Sequence, residues 1–581
     1  MIFGWRFLKK HYTANEKELW TVLGLTEKKI FFYSRLDLSN NNSFLLLCRN
    51  IMAETQYSSQ NEDNSREERL NESIGNSRSE EGFITRYILN TRTVTEGERL
   101  KRVVFGKKDE NKPHKTILIV GETGTGKSTI INAMVTYMLG VGSEDRIWCE
   151  IIETKENQTY SQTNAVTVYD VFTKHSPFSL TFIDTPGFGS TEGINKDIKI
   201  AESLLELFRS EDGVSEIDAV CFVVTSLTSR CTERQRYVFN AVLSLFGRDV
   251  DKNIVVFITH ASRKPNNAIK AIKESKIPCA QDDRGEPVYF RFDNSHCEDF
   301  NDEGLFGDYQ ASWDLLKTTM ENFLTFLNEI KPINMKLTVA VLRSRKQLTS
   351  SIFNLKDKIK YNELKQRELE QTKEALQKHE REKDNNNFEC TVDEAYKEKV
   401  PIEYRWWHFG SKEATCCTVC EENCHYPGCW WVRDLSWCSV MSGGNCTVCT
   451  GRCHYTKHVK EGKIYQGKTR KVRKTMEDLK QKYETKSDKT KSLIIRLEDE
   501  IAEQENEKIR LVEECYQCVV KLEEIALNTD SVYTLHHLDF LIEKVKETGN
   551  TDRVQRLEEI KERADDKQLA QARQWFSAMC H

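Results

Sequence analysis

Residues Thr116 to Ser128 read TILIVGETGTGKS, a short apolar run that leads directly into a glycine-rich loop. The loop fits the pattern G-x-x-x-x-G-K-[ST], whose glycines let successive backbone N–H groups point at phosphate oxygens. The pattern requires a strand before the loop and a helix after it, because the helix N-terminus favours a bound anion. The stretch therefore predicts a phosphate-binding loop between a strand and a helix.

Nine residues of this loop and of the first helical turn are predicted to surround the phosphates of a nucleotide. Lys127 is expected to reach the β- and γ-phosphates, and the Ser128 hydroxyl is expected to ligate Mg²⁺. The nine residues are Gly121, Glu122, Thr123, Gly124, Thr125, Gly126, Lys127, Ser128 and Thr129.

Short apolar runs alternate with amphipathic stretches from this loop to about residue 331. Each run is typical of a buried parallel strand, so the alternation predicts a doubly wound, mostly parallel α/β sheet. Ligands of such sheets bind beyond the carboxyl ends of the strands. The predicted strands are Thr116 to Val120, Ser179 to Asp184, Ala219 to Thr225, Asn253 to Thr259 and Val288 to Phe292, with helices starting at Ser128, near Asp197, at Thr232 and near Ala268.

The second predicted strand ends in the sequence DTPG, from Asp184 to Gly187. At this spacing from the loop, Asp184 is expected to hold Mg²⁺ through water, and Gly187 to contact the γ-phosphate. The intervening SQTNAVTVYDV offers Thr167 or Thr163 as the threonine that completes the metal shell. For each threonine, an ordinary loop position is the alternative.

The motifs GETGTGKSTIINAM, AVT, IDTPGFG, TSRCTERQRYVFNAVLSLFG and VVFITHAS occur in this order. Together they resemble the GTPases of immunity-associated proteins, the GIMAP or AIG-type family, which is similar to septins and chloroplast Toc receptors. The resemblance covers about Lys115 to Ile330. It implies a P-loop NTPase domain that binds GTP or GDP with Mg²⁺, dimerises or polymerises across its nucleotide face, and hydrolyses GTP slowly unless paired. A regulatory role, for instance in immune defence, follows from the same resemblance.

The usual Asn-Lys-x-Asp motif for guanine is absent, and Thr259-His260-Ala261-Ser262 ends the fourth strand instead. This resembles the Thr-His-Ala of Toc GTPases, which makes His260 the expected base contact. A strand-end histidine with a local hydrogen bond is the alternative. Asn294 and Ser295 match the later base-contacting loop. Ser262 stands where a carboxylate is expected to read guanine, so ATP remains an alternative to GTP.

The predicted catalytic residues are Arg230 and Thr167. Phe188 follows DTPG where Ras-like enzymes place a water-orienting glutamine, which predicts slow intrinsic hydrolysis. Arg230 matches the arginine of the family's GRYT box and is expected to act as an arginine finger in a second copy of the chain. A surface arginine without catalytic duty is the alternative, and a scaffold that holds nucleotide structurally is the alternative for the whole protein.

Composition and charge narrow the classes of partner that the protein is expected to bind. The chain has 581 residues with 85 basic and 90 acidic side chains, for a net charge of -5, which gives no basic footprint for nucleic acid. The sequence has no apolar run of the ~18 to 20 residues needed for a transmembrane helix, and no signal peptide. We therefore expect a cytoplasmic protein without a transmembrane segment. We expect homodimers or homo-oligomers that form through the nucleotide-binding domain and the coiled coil, and an unidentified protein partner.

Nine of the 19 cysteines fall between Cys416 and Cys453. C-x-x-C pairs suit tetrahedral zinc, and a reducing compartment favours metal ligands over disulfides. Two Zn²⁺ sites are predicted, with disulfides and free thiols as alternatives, and with Cys416 and Cys438 as spare cysteines. The predicted zinc ligands are Cys417, Cys420, Cys424, His425, Cys429, Cys446, Cys449, Cys453 and His458.

Apolar residues recur every seven positions from Val341 to Leu376, with a polar Asn362 in the series, which indicates a coiled coil. A second helical stretch is predicted from Lys468 to Asn528. An antiparallel helical hairpin with the cysteine module at its tip is the simplest arrangement, and two independent helices are the alternative. The predicted divisions are residues 1–100, mostly disordered; 101–332, the nucleotide-binding domain; 333–400, a coiled-coil helix; 401–467, the zinc module; and 468–581, a coiled-coil or helical region.

Overall fold

A computed structural model of the chain describes residues 74, 77–80, 84–97, 100–153, 165–189, 194–210, 212–227, 233–297, 306–382, 388–402, 413–426, 428–429, 432, 434–484, 493–528 and 532–563. Met1–Gly75 and Asn76–His581 are separate compact units, and the second contains the folded parts described below. No helix within the described ranges is both long and apolar enough to span a membrane.

Thirteen described strands precede the long helices. They are β1 (Arg78–Glu80), β2 (Thr85–Ile88), β3 (Arg92–Glu96), β4 (Leu100–Phe105), β5 (His114–Gly121), β6 (Ile147–Glu150), β7 (Val166–Val171), β8 (Ser179–Asp184), β9 (Glu216–Ile217), β10 (Ala219–Thr225), β11 (Ile254–Thr259), β12 (Tyr289–Arg291) and β13 (Ile333–Asn334). An eight-stranded sheet has the order β12-β11-β10-β5-β8-β7-β4-β3, a smaller sheet has the order β1-β2-β6, and β9 pairs with β13.

The five strands predicted from apolar runs are present and lie side by side. β12, β11, β10, β5 and β8 are parallel to one another, which confirms the mostly parallel α/β sheet. Their side chains are apolar on both faces because helices cover both faces. Ile117, Leu118 and Ile119 of β5 are accordingly fully buried.

Helices connect these strands and supply the rest of the core. They are α1 (Lys127–Met138), α2 (Ile194–Arg209), α3 (Glu233–Leu243), α4 (Asn266–Glu274) and α5 (Phe306–Glu329). Apolar side chains of α2, α3 and α4 join those of the sheet in one buried cluster. The first four helices begin close to the predicted positions.

The sheet extends further toward the amino terminus than the sequence predicts. β7 runs antiparallel to β8, β4 runs parallel to β7, and β3 forms the edge. β1, β2 and β3 fall within residues 1–100, for which the sequence predicts mostly disorder, so that prediction is wrong for this part. The remaining residues of that segment are largely outside the described ranges. All five residues of β3 are exposed, which is why its sequence, RTVTE, lacks an apolar signal.

Helix α6 (Lys336–Glu382) carries the predicted heptad series. α7 (Met476–Glu484), α8 (Leu493–Ile525), α9 (Val532–Glu547) and α10 (Thr551–Glu562) follow later in the chain. Val341, Leu348 and Leu355 of α6 are buried against side chains of α8, α9 and α10. The Asn362 amide donates to the Gln504 carbonyl across the α6–α8 contact, 3.5 Å away. The heptad seam is therefore covered by helices of the same chain.

A β-ribbon separates the long helices from the cysteine module, contrary to the helical prediction for residues 333–400 and from Lys468. β14 (Glu389–Pro401) pairs antiparallel with β20 (Lys463–Thr475) over thirteen positions. Between them lie β15 (Ala414–Cys417), β16 (Glu422–His425), β17 (Met441–Ser442), β18 (Asn445–Cys446) and β19 (His458–Glu461). The ribbon packs on α6, where Lys365 and Lys474 both pair with the buried Glu368.

The cysteine module is not at the tip of the helical hairpin, so the predicted tip location is wrong. The ribbon turns the chain back, and the Asn354 amide of α6 donates to Glu422 at 3.1 Å and to the Val448 carbonyl at 3.2 Å. Arg343, nearer the start of α6, donates to the Met441 carbonyl at 2.6 Å. At about 1.5 Å per residue, the module sits roughly 40 Å from the far end of α6.

One buried guanidinium joins the sheet domain, α6 and the carboxyl-terminal helices. Arg345 is 5% exposed. Its Nε donates to the Ser244 carbonyl at 2.9 Å, its Nη1 to Thr534 Oγ1 at 2.9 Å, and its Nη2 to the Asn528 carbonyl at 2.7 Å. Three separate parts of the chain therefore depend on a single side chain for these hydrogen bonds.

We expect Arg345→Leu to destabilise the protein by about 3 kcal/mol, because buried carbonyls lose their charged donor. Thermal denaturation followed by circular dichroism measures the loss as a lower Tm. Arg367→Leu, on an exposed part of the same helix, is the matched control and should change stability by less than about 0.5 kcal/mol. Equal melting temperatures for the two variants would contradict the assignment.

Candidate functional site

The loop after β5 has the conformation that a phosphate cradle requires. Gly124 and Gly126 have φ of 82° and 87°, in the left-handed region that glycine adopts without strain. Helix α1 begins directly after Gly126, and no side chain caps its first turn. Its first backbone N–H groups therefore remain available to an anion at the loop.

Lys127 lies inside this loop and is 7% exposed. Its ammonium donates to the Gly121 carbonyl at 3.2 Å and to the Glu122 carbonyl at 2.8 Å. Burial lowers the pKa of Lys127 to about 8, against the opposing influence of the Asp184 carboxylate. Since an anion in the loop would restore the lost charge stabilisation, the side chain is suited to a phosphate.

The DTPG segment packs directly against the loop. A Cβ placed on Gly187 would lie 2.3 Å from the Thr123 Oγ1 and 2.5 Å from the Thr123 Cα. The next residue, Phe188, donates its backbone N–H to the Gly121 carbonyl at 3.1 Å, and its ring is fully buried. The side chain at the position of a water-orienting glutamine is therefore part of the core.

The residues predicted to hold Mg²⁺ lie on β8, β7 and α1. Asp184 ends β8 and is fully buried. Thr167 lies on β7 directly opposite Asp184 in the antiparallel register, and it is 6% exposed. Ser128 is partly buried in the first turn of α1. Carboxylate and hydroxyl oxygens are the donors that Mg²⁺ prefers, so the residues fit this ion.

The residues predicted for the base lie after the adjacent strands β11 and β12. His260 is exposed, and its φ of 51° turns the chain sharply at the end of β11. Asn294, with a φ of 61°, is 8% exposed. Its Oδ1 is buried and accepts no hydrogen bond within the described part of the chain. Ser295 is turned toward Asp293, whose Oδ2 accepts from its hydroxyl at 3.0 Å.

Thr123 Oγ1 is a second buried oxygen without a hydrogen-bond partner in the described residues. It lies at the phosphate end of the site, whereas Asn294 Oδ1 lies at the base end. Buried polar atoms are costly unless they are paired, so both positions favour a ligand with polar groups at each end. Two further predicted residues, Thr163 and Arg230, fall outside the described residues.

Sequence reasoning missed Asp197, in the first turn of α2. Its Oδ1 accepts from the Gly189 N–H at 3.3 Å, and its Oδ2 accepts from the Tyr237 hydroxyl at 2.6 Å. Burial raises the pKa of Asp197 to about 6. The carboxylate thereby connects the end of the DTPG loop with α3, the helix that follows the TSRCT segment. The signal for this role in the sequence is an acidic residue in the first turn of the helix that follows DTPG.

The cysteine module brings its ligand residues into three clusters. Cys417, Cys420, Cys449 and Cys453 form the first, and Cys424, Cys446, Cys449 and His458 form the second, with Cys449 common to both. The Cys420 and Cys453 sulfurs are 3.7 Å apart, and the Cys449 sulfur is 3.8 Å from the His458 Nε2. Ligands of tetrahedral zinc are about 3.5 to 3.8 Å apart, given Zn–S of ~2.3 Å and Zn–N of ~2.0 to 2.1 Å.

Backbone N–H groups surround the sulfurs of both C-x-x-C pairs. The Cys420 N–H donates to the Cys417 sulfur and the Cys449 N–H to the Cys446 sulfur, each at 3.4 Å. A hydrogen bond from the Cys424 thiol lowers the pKa of Cys446 to about 3. Donors aimed at sulfur stabilise the thiolate, which is the form that binds metal.

The third cluster consists of His425, Cys429 and Cys438. Cys438, which the sequence leaves as a spare, therefore has ligand neighbours, and that interpretation is corrected. Cys416 lies outside all three clusters and donates to the Asn423 Oδ1 at 3.4 Å. Every described cysteine of the module is a free thiol. Spacing could not reveal the third cluster, because its members come together only in the folded chain.

Residues 115–280 match the AIG1 family, which confirms the resemblance drawn from the order of the motifs. No curated protein matches the chain.

Solved structures similar to this chain include Toc33 from Arabidopsis thaliana. Its complex with GDP and Mg²⁺ is 16% identical over 36% of this chain and 87% of that chain, with a TM-score of 0.24. Its complex with Mg²⁺ and GMPPNP is 17% identical over 39% and 89% of the two chains, with a TM-score of 0.24. A structure of the chloroplast translocon components atToc33 and psToc159, whose dimerisation is described as important for GTPase activity, is 17% identical over 36% and 84%, with a TM-score of 0.25.

We expect Gly187→Ala to weaken nucleotide binding at least tenfold, because the new methyl group would overlap Thr123 and displace the phosphate loop. Titration with a fluorescent guanine nucleotide measures the effect. Gly307→Ala is the matched control, since a Cβ there meets no atom within 4 Å. Unchanged affinity in Gly187→Ala would contradict the close contact between DTPG and the loop.

Proposed function

We propose, from the AIG1-family domain at residues 115–280, that this chain binds GTP or GDP with Mg²⁺ and uses the bound nucleotide to control self-association. The observation that carries the proposal is the loop around Lys127. Its ammonium is held by two backbone carbonyls beside a helix N-terminus that has no side-chain cap. The Lys127 ammonium is therefore suited to release these carbonyls and donate to phosphate oxygens instead.

The residues around the loop have separate roles in this proposal. Lys127 and the N–H groups of residues 121–129 bind the phosphates, with Gly187 close enough to respond to the γ-phosphate. Ser128, Asp184 and Thr167 or Thr163 hold Mg²⁺, which supplies positive charge against the phosphates. His260, Asn294 and Ser295 contact the base, and the buried Asn294 Oδ1 provides an acceptor for a base N–H.

Slow turnover by a single chain follows from the buried Phe188, because no polar side chain at that position orients a water. We propose that Arg230 of a second copy supplies the missing positive charge across the nucleotide face. The heptad seam of α6 supports assigning self-association to the nucleotide domain, since helices of the same chain already cover that seam.

Hydrolysis at several protein concentrations tests this function, after chromatography of the co-purified nucleotide. We expect guanine nucleotide, and turnover per molecule that rises with concentration as dimers form. Arg230→Ala should abolish the rise. Arg284→Ala is the control, because Arg284 is an exposed arginine in the turn before β12, away from the carboxyl ends of the strands.

Each other outcome identifies a different function. Co-purified adenine nucleotide would contradict the base assignment and favour an ATP-dependent protein. Bound guanine nucleotide without turnover at any protein concentration would indicate that the protein is a nucleotide-binding scaffold and not a GTPase. Turnover that does not depend on concentration would refute the role of Arg230 in a second copy.

We also propose that the module between the ribbon strands binds two structural Zn²⁺ ions in the two four-ligand clusters. Six thiolates and one imidazole would hold them, with Cys449 bridging both ions. Outside the cysteines, the described core of the module is small, with Val432, Val440, Met441 and Val448 as its fully buried apolar side chains. A module with so little apolar core is expected to depend on metal for its fold.

Loss of single ligands tests the shared cysteine. Cys449→Ser should lose two zinc equivalents relative to the unaltered protein after dialysis against a mild chelator, because it removes a ligand from both clusters. Cys446→Ser should lose one, and Cys416→Ser, which lies outside the clusters, should lose none. Elemental analysis of the purified proteins measures the content. An equal loss in Cys449→Ser and Cys446→Ser would refute the bridging role.

A further inference from the structure

We infer that His425, Cys429 and Cys438 form a third metal site, which binds one exchangeable zinc ion and fastens the cysteine module to helix α2. The inference rests on the proposed zinc-binding role of the module. It goes beyond that role by adding a separate ion, with three ligands among the described residues and a position against the nucleotide domain.

The geometry of the three ligand atoms fits one metal ion. The His425 Nδ1 is 3.2 Å from the Cys438 sulfur and 3.6 Å from the Cys429 sulfur. The three residues are 2%, 0% and 3% exposed for His425, Cys438 and Cys429. One nitrogen and two sulfurs form a donor set that suits zinc better than the oxygen-seeking Mg²⁺ or Ca²⁺.

Two hydroxyl groups and a lysine ammonium lie near the two sulfurs. The Ser439 Oγ is 3.1 Å from the Cys429 sulfur, and the Thr415 Oγ1 is 3.9 Å from the Cys438 sulfur. Lys346 of α6 lies close enough to both cysteines to interact with them, and it pairs with Glu202. Binding of Zn²⁺ would displace the two thiol protons to solvent, and two thiolates would balance the charge of the ion.

Within the described part of the chain the site has three protein ligands, and we assign the fourth position of a tetrahedral zinc to water or another small ligand. The first two clusters each offer four ligands, so their ions should exchange more slowly than the ion of the third site. The third ion should therefore be the first to leave when a chelator is added. Lability separates this site experimentally from the two structural ones.

The third site also touches the helix that follows DTPG. Cys438 comes directly after Trp437, whose carbonyl accepts from the Arg209 Nη1 at 2.9 Å. Arg209 is the last residue of α2, and its guanidinium carbon lies 5.6 Å from the centroid of the Trp437 ring. Glu202 of the same helix pairs with Lys346. An ion that fixes Cys438 would therefore fix the turn on which the end of α2 rests.

Zinc content and release kinetics of the full chain test the inference. We expect three zinc equivalents in the unaltered protein, two in Cys438→Ser and three in Cys416→Ser. With a chromogenic chelator, one equivalent should leave the unaltered protein at least tenfold faster than the other two. Hydrogen exchange should then increase in the carboxyl-terminal turn of α2 and stay unchanged in α4.

The outcomes distinguish this inference from the proposed function. Two equivalents in both the unaltered protein and Cys438→Ser would overturn the third site and leave the two structural ions intact. Less than about one equivalent in the unaltered protein would refute zinc binding by the whole module. If Cys438→Ser loses all its zinc through misfolding, release from the unaltered protein decides the question, and a single phase would overturn the inference. A Cys429–Cys438 disulfide found by mass spectrometry after alkylation would also overturn it.

Discussion

The packing of one face of α6 against α8 and α9 is the constraint on which the arrangement of this part of the chain depends. Val341, Leu348 and Leu355 are buried in that contact, and Arg345 adds hydrogen bonds to the sheet domain and the later helices. Because a single chain supplies both sides of the seam, the carboxyl-terminal helices must return to the nucleotide domain. The ribbon and the cysteine module then occupy the remaining surfaces of α6.

The sequence predicts the features whose signal is local. The buried strands are runs of β-branched residues, and the phosphate loop has glycines wherever its backbone turns sharply, so both follow from short stretches. The ribbon could not be predicted in the same way. β14 and β20 are rich in charged residues, and their ion pairs, such as Arg470 with Glu394 at 2.7 Å, form only across the two strands. Without that partner strand, the charges resemble those of a solvated helix.

The candidate metal ligands illustrate the same division between local and long-range information. C-x-x-C pairs can be recognised in the sequence because the two cysteines of each pair lie on one turn. Cys438 carries no such spacing, and its contact with His425 exists only in the folded chain. Asp197 is comparable, since its role depends on Tyr237, forty positions away. Residues of this kind require the fold before their chemistry is visible.

Helix α2 connects the candidate nucleotide site with the cysteine module. DTPG precedes its first turn, and the cysteine module contacts its last residue. The helix also touches α6 through Glu202 and Lys346. The 47 residues of α6 extend roughly 70 Å at ~1.5 Å per residue. A long rigid rod that meets the nucleotide domain near one end, as α6 does through Arg345 and Lys346, acts as a lever. A tilt of about 5° at the nucleotide domain would displace the opposite end of a rod of about 70 Å by roughly 6 Å, so a small local rearrangement would become a movement large enough for another molecule to sense.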